Sequence, residues 1–327
     1  MSLSLRDKQN LYHNLGQLVR SGIPFPAALD KLVRTTRGKA RRLMEAARQS
    51  LSQGHTVGEA FAAQSTIVSP LEISVISAVE KSGQLERGLR ELSEYFGAMN
   101  QARVGIIKRS AYPVFLLHFG IIVLSVPTLV TKDASHFFRE VGTAFFFVYA
   151  TALLVALATP LLREVAAANS IMDRVLITIP VVGSIRRSFA LSRFCTVYGL
   201  QLDAGINVID SVLSAGRSSL SGLVRSAVDW AVPQIRTGSP VGPLLAASDA
   251  FPSDLTQAVI VGEETGSLDD ELQRMGKEFR EKGMSALEIF AEWLPKLLYI
   301  GITVYLAWKC VTLYQATLNS EMKIMSE

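Results

Sequence analysis

Two glutamates are the side chains best placed to do chemistry. Glu80 lies in the stretch Val79 to Leu89, VEKSGQLERGL, and Glu263 in Val261 to Leu272, VGEETGSLDDEL. The apolar spacing puts each carboxylate in the last turn of a helix, where it faces the negative end of the helix dipole at a cost of about 0.3 to 1 kcal/mol. Something must offset that cost: an Arg or Lys from a neighbouring helix, the free N–H groups of the next helix, a cation, or a contact with another subunit. Other chemistry is hard to find. No phosphate loop of the form GxxxxGK[ST], no GxGxxG after a strand, no HExxH and no CxxC occurs, nor does GxSxG. His13, His55, His118 and His136 share no ligand spacing, and Cys195 and Cys310 form no metal or redox pair. Both thiols are expected to be reduced, with no metal and no cofactor. With no nucleophile, base and orienter set, the reading is not an enzyme.

The two glutamates are copies of one position. Shifting the chain by 183 residues places Gly16, Gly22, Glu80 and Gly83 on Gly199, Gly205, Glu263 and Gly266. The same shift places Leu85, Leu89 and Phe96 on Leu268, Leu272 and Phe279. A shift one residue longer matches Gly54, Val57 and Gly58 to Gly238, Val241 and Gly242. Solenoid repeats recur every 20 to 50 residues or so. This unit, of roughly 100 residues, is therefore a duplicated domain, and Gly16, Gly22, Glu80 and Gly83 with Gly199, Gly205, Glu263 and Gly266 are candidate structural or interface positions.

The elements that position them read as helices. Leu11, Leu15, Leu18 and Val19 mark a helix that ends at Gly22, and Pro24 and Pro26 sit where a second begins. This is an αα-hairpin in which Gly16 is expected to let the two backbones approach. A third helix is predicted from about Ala40 to Ser52, a short turn of helix around Val57 to Ala62, and a fifth helix from Pro70 to Lys81 that ends at Ser82-Gly83. A sixth starts near Leu85 and has no strong breaker before Pro113, so it leads directly into an apolar run. In the second copy Gly266 closes one helix, Ser267 caps the next, and Asp270 completes a capping-box pattern. No stretch alternates with period two, so each repeat is predicted to be a small all-helical bundle.

The chain of 327 residues is 49% apolar, with a mean hydropathy of +0.29. That is too oily for an ordinary soluble enzyme, so part of it belongs in lipid. The segments read as repeat 1 (1–105), a span (106–131), a linker (132–142), a span (143–162), repeat 2 (163–293), a third span (296–318) and a tail (319–327). Two crossings between the repeats put both on one face. Arg103, Lys108 and Arg109 precede the first span and Arg163, Arg174, Arg186 and Arg187 follow the second, which makes that face cytoplasmic and the linker and tail periplasmic. The net charge of +4 then reflects membrane flanks, and no nucleic acid is expected. The N-terminal MSLSLRDKQN lacks an apolar core before a small-residue cleavage site, so no secretory signal is expected. His118 and Lys309 lie at membrane depth. Each is either bonded within the bundle or snorkelling, or else part of a pathway in a transporter or channel subunit, which is the competing class. Trp293, Tyr112 and Tyr314 suit interfacial belts. The charged run of Arg20, Asp30, Arg34, Arg37, Lys39, Arg41 and Arg42 is either a solvated face or a docking face.

LYHNLGQLVRSGIPFPAALDKL (11–32), VEKSGQLERGLRELSEYF (79–96), KRSAYPVFLL (108–117), FCTVYGLQLDAGINVIDSVLSA (194–215) and VGEETGSLDDELQRMGKEF (261–279) together resemble the F-domain family of type II secretion. Its members are the inner-membrane platform proteins of type II secretion systems (GspF) and type IV pilus machines (PilC). The resemblance implies an all-α membrane protein with two cytoplasmic six-helix bundles and three transmembrane helices, located as a multi-pass protein in the bacterial inner membrane. It also implies a homo-oligomer, a dimer or trimer, above a cytoplasmic hexameric assembly ATPase, acting on pilin or pseudopilin subunits among other inner-membrane assembly components. One departure is that the first copy of the motif reads Val79-Glu80 where the second reads Gly262-Glu263.

Overall fold

Caps and prolines start the helices of the first repeat. Ser4 accepts the Asp7 N–H at 3.1 Å and opens α1, Leu5–Arg20. Pro24 precedes α2, Phe25–Thr35; α3 is Gly38–Ser52. Thr56 and Glu59 form a reciprocal capping box for α4, Val57–Ala62, and Ser69 and Glu72 do the same for α5, Pro70–Lys81. The helix α6, Leu85–Thr131, then runs 47 residues, with Pro113 in its interior. The rest of the chain is α7 (Ala134–Ala168), α8 (Ser170–Thr178), α9 (Val182–Asp203), α10 (Val208–Ser218), α11 (Gly222–Arg236), α12 (Val241–Ala246), α13 (Ser253–Thr265) and α14 (Leu268–Met325). This computed structural model describes residues 3–131 and 133–325, which are helical with no strand among them.

Two units divide the chain. The first comprises Met1–Ala102 and Glu164–Leu287 and holds both repeats; the second comprises Arg103–Arg163 and Glu288–Glu327. In the first unit the apolar faces of the helices close on one another. Tyr12, Leu15, Leu29, Leu43, Phe61 and Ile76 are essentially inaccessible in repeat 1, as are Phe194, Tyr198, Val212 and Leu255 in repeat 2. Each such large side chain stabilises the fold by about 1.5 to 3 kcal/mol relative to exposure.

The second unit is arranged the other way round. Its large apolar side chains face outward: Phe146, Phe147 and Leu154 are 69%, 69% and 67% exposed. Among the described residues two helical stretches, Leu85–Val126 and Ala134–Thr159, each hold an 18-residue window apolar enough to cross a membrane, with mean hydropathy 1.5 and 2.1. An outward apolar surface of that extent is unfavourable in water and favourable in hydrocarbon. The third segment, 296–318, lies within α14, but many of its side chains, Lys309 among them, fall outside the described residues. So do the side chains of the tail, 319–327.

Three details differ from the sequence reading. The helix α3 begins at Gly38 rather than Ala40. The polar stretch 132–142 is not an extended linker, because α7 already begins at Ala134. Asp133 sits at the N-cap position, and its carbonyl accepts the N–H groups of His136 and Phe137 at 3.0 and 3.2 Å. The polar residues there are thus the exposed first turns of a helix. Finally, repeat 2 opens with a separate short helix, α8, anchored by its buried Asp173. That carboxylate accepts the Arg186 guanidinium at 2.5 Å, the Leu223 N–H at 3.1 Å, and the Ser221 hydroxyl.

Candidate functional site

The repeated carboxylate closes each repeat in the same way. Glu80, at the end of α5, accepts the Val57 N–H at 2.6 Å and the Gly58 N–H at 2.7 Å. Glu263, at the end of α13, accepts the Val241 and Gly242 N–H groups, both at 2.7 Å. The donors are the first amides of α4 and α12, which have no partner inside their own helices. Two charge-assisted hydrogen bonds, at about 1.5 to 3 kcal/mol each, outweigh the dipole cost that the sequence flags. The N–H groups thus belong to the short helix before each glutamate, not to the helix that follows it. Nothing in local spacing marks a partner 22 or 23 residues upstream. A signal nevertheless exists, since Val57-Gly58 and Val241-Gly242 are themselves a matched pair.

Those glycines are there to let the helices touch. A Cβ on Gly58 would lie 2.3 Å from Ser77 Oγ, and one on Gly242 2.4 Å from Ile260 Cγ1 and 3.0 Å from the Ile260 backbone. Gly242→Ala should push α12 off α13, lengthen both hydrogen bonds to Glu263 and cost about 1 to 3 kcal/mol. A lowered midpoint in thermal unfolding of the purified full chain checks this, and an unchanged midpoint contradicts it.

The other matched glycines fall into two kinds. Gly83 and Gly266 hold φ of +71° and +72°, and Gly22 and Gly205 +79° and +72°, so all four end helices in the left-handed region. Gly16 faces α6, with its Cβ position 3.5 Å from Leu89 Cβ, not α2 as the hairpin reading expects. Gly199 is tighter, at 3.0 Å from the Asp269 carbonyl oxygen of α14. The close approach is that of the first helix to the last in each repeat.

Repeat 1 also contains a polar cluster that the sequence does not announce. Glu72 is 1% exposed and pairs with Lys8, itself 5% exposed. It further accepts the Tyr12 hydroxyl at 2.5 Å, and the Ser69 N–H and hydroxyl at 2.7 Å each. Lys8 lies over the Phe96 ring, 5.0 Å from its centroid. Burial, with the Glu72 charge adding to it, pushes the Tyr12 phenol well above its ordinary pKa. At the matched positions repeat 2 has Leu191, Cys195 and Leu255, all buried and apolar. There burial holds the Cys195 thiol up and inert as a nucleophile.

The two repeats are joined by polar contacts. Arg87 of α6 donates to Asp203 of α9 at 2.6 Å and to Gln273 of α14. Arg280 donates to Glu91 at 3.2 Å, Arg193 to the Tyr95 hydroxyl at 3.3 Å, and Ser74 and Ser218 share a hydrogen bond of 2.8 Å. In the second unit, His118 Nδ1 is 2.7 Å from the Val114 carbonyl oxygen and Nε2 is 2.8 Å from the Tyr149 hydroxyl. One N–H and one lone pair satisfy both contacts, so the ring ties α6 to α7.

Known proteins share this doubled construction. A family model described as Type II secretion system (T2SS), protein F matches residues 11–131 and again residues 194–314. The chain is 23% identical to the type IV pilus assembly protein TapC of Aeromonas hydrophila, over 91% of this chain and 77% of the relative. It is 24% identical to the type IV pilus assembly protein PilC of Thermus thermophilus, over 92% and 79%. It is 25% identical to the type II secretion system protein F of Vibrio cholerae, over 83% and 72%. The two matched stretches begin 183 residues apart, which is the spacing of Glu80 from Glu263, and together they take in most of the chain. A clamp built twice from the same carboxylate and the same amides is thus set within two copies of one family unit, and the chain belongs to the type II secretion system protein F family.

Proposed function

We propose that this chain is an inner-membrane platform of a type IV pilus or type II secretion assembly machine. It crosses the membrane three times with both repeats cytoplasmic, and it transmits the motion of a cytoplasmic ATPase to pilin or pseudopilin subunits. The chain performs no turnover itself. The carrying observation is α6, one helix of 47 residues and hence about 70 Å long. Its first turns bury Leu89, Leu92 and Phe96 in the core of repeat 1, and its later turns hold the apolar stretch around Val114 to Val126. In this reading rotation of the repeat is passed along α6 to the span, a transition that needs no new chemistry. His118, satisfied by Val114 and Tyr149, favours this reading over a transport pathway.

Topology gives a first test. In a Cys310→Ser background, Gln49→Cys in repeat 1 and Trp230→Cys in repeat 2 should be labelled by a membrane-impermeant thiol reagent only after the inner membrane is opened. Ser135→Cys should be labelled in intact spheroplasts. Opposite labelling of positions 49 and 230 removes the single-sided platform.

A further inference from the structure

The joint between the repeats is not two-fold, and that leaves half of it unused. The helix α5 of repeat 1 packs on α9 and α10 of repeat 2, while among the described residues α13, the counterpart of α5, packs on neither α1 nor α2. Repeat 1 thus presents an edge that repeat 2 receives. Repeat 2 carries a copy of the edge, and repeat 1 a copy of the receiving face, and both are open.

The key residues keep their complementarity with the charges exchanged. On the used side Arg87 enters a groove between α9 and α14 and meets Asp203 and Gln273. Shifted by 183, Arg87 becomes Asp270, while Asp203 and Gln273 become Arg20 and Arg90. A cation docked on an acid is thus replaced by an acid matched to Arg20, since Arg90 is already paired with Glu86 and Glu94. Asp270 and Arg20 are both exposed, and no hydrogen bond or ion pair engages either side chain. Arg90 is held on its own helix by Glu86 at 3.1 Å.

The receiving groove of repeat 1 is a cavity of about 230 Å³ between α1 and α6, lined by Arg20 and Arg90 and also by Glu86 and Glu94, which pair with Arg90, so that Arg20 is its cation without an ion pair. On the open edge Val261 is 48% exposed, although its counterpart Ala78 is buried. Ser74, which bonds Ser218 across the used joint, becomes Gln257, and Ser218 becomes Thr35; both are exposed and polar. Within one chain Asp270 cannot be delivered to the Arg20 groove in this way, because the joint between its repeats is already made in the other sense. A second chain can deliver it.

We infer that copies of this chain associate head to tail, the α13–α14 edge of one copy seating on the α1–α6 groove of the next with Asp270 placed against Arg20. The contact is heterologous, so it generates a ring if the rotation closes and extends further if it does not. Each added copy repeats the joint already present inside the chain. The inference stands on the internal geometry and does not depend on the machine in which the protein works.

The test uses two differently tagged full-length copies co-expressed in the membrane, both carrying Cys310→Ser, since Cys195 is buried and Cys310 exposed. One copy carries Arg20→Cys only and the other Asp270→Cys only. Oxidation should cross-link the two tags to each other, at least about tenfold more than a Gln49→Cys and Asp270→Cys pair. Cross-links between two Arg20→Cys copies at equal yield, as an isologous dimer would give, overturn the proposal. So does the absence of any link above the control. Charge reversal gives the second readout. Arg20→Asp or Asp270→Arg alone should weaken association about tenfold, and the double variant should regain most of it. Failure of the double variant to recover association, when each single variant has lost it and remains folded, also overturns the pairing.

Discussion

Glu263→Ala will release α12 from α13 and cost the second repeat about 3 to 5 kcal/mol, because two charge-assisted hydrogen bonds are lost together. The amides of Val241 and Gly242, now bonded at 2.7 Å each, should then exchange with solvent far faster. Glu80→Ala should do the same at Val57 and Gly58 in the first repeat. Glu263→Gln should fall between, since the amide keeps one acceptor oxygen and turns a donor toward the other N–H. Hydrogen exchange at the four amides that does not change in either alanine variant would contradict the clamp.

The Lys8–Glu72–Tyr12 cluster supports a second large effect, and the protein contains its own control. Glu72→Leu alone leaves Lys8, 5% exposed, and the Tyr12 hydroxyl without their acceptor, and should cost about 3 to 5 kcal/mol. Lys8→Leu, Tyr12→Phe and Glu72→Leu together remake the apolar arrangement of Leu191, Cys195 and Leu255, which repeat 2 already packs. The triple variant should unfold within about 1 to 2 kcal/mol of the parent, since replacing a whole buried ion pair by apolar side chains is often neutral or stabilising. Denaturant unfolding of the three chains decides it. A single variant as mild as the triple would mean that the cluster is not a coupled unit.

Much of the fold was legible because helices announce themselves locally. The prolines at helix starts and the left-handed glycines lie within a few residues of the ends they set, so α5, from Pro70 to its stop at Ser82-Gly83, reads directly. The internal repeat added a second view of each position, which is how Glu80 and Glu263 stood out before any partner was known. What was missed is long-range. Lys8 and Glu72 are 64 residues apart and Arg87 and Asp203 are 116 apart, and no periodicity connects them. Adjacency in sequence points Gly16 to the nearer helix α2, whereas its contact is Leu89 in α6. Asp133 and the first turns of α7 read as a loop because polarity was the only signal, and an N-cap with an exposed first turn is polar too. The asymmetry of the joint could not be read at all, since it depends on which of two equivalent faces is occupied.

The central claim of the proposed function is that α6 passes motion from repeat 1 to the membrane-spanning stretch, and inserting Gly-Gly-Ser after Gln101 tests it most directly. Three flexible residues leave the core contacts of Leu89, Leu92 and Phe96 in place and remove only the continuity of the helix. With the variant present in the inner membrane at parental level, pilus assembly or secretion should be abolished. Assembly or secretion at the parental rate would contradict the account.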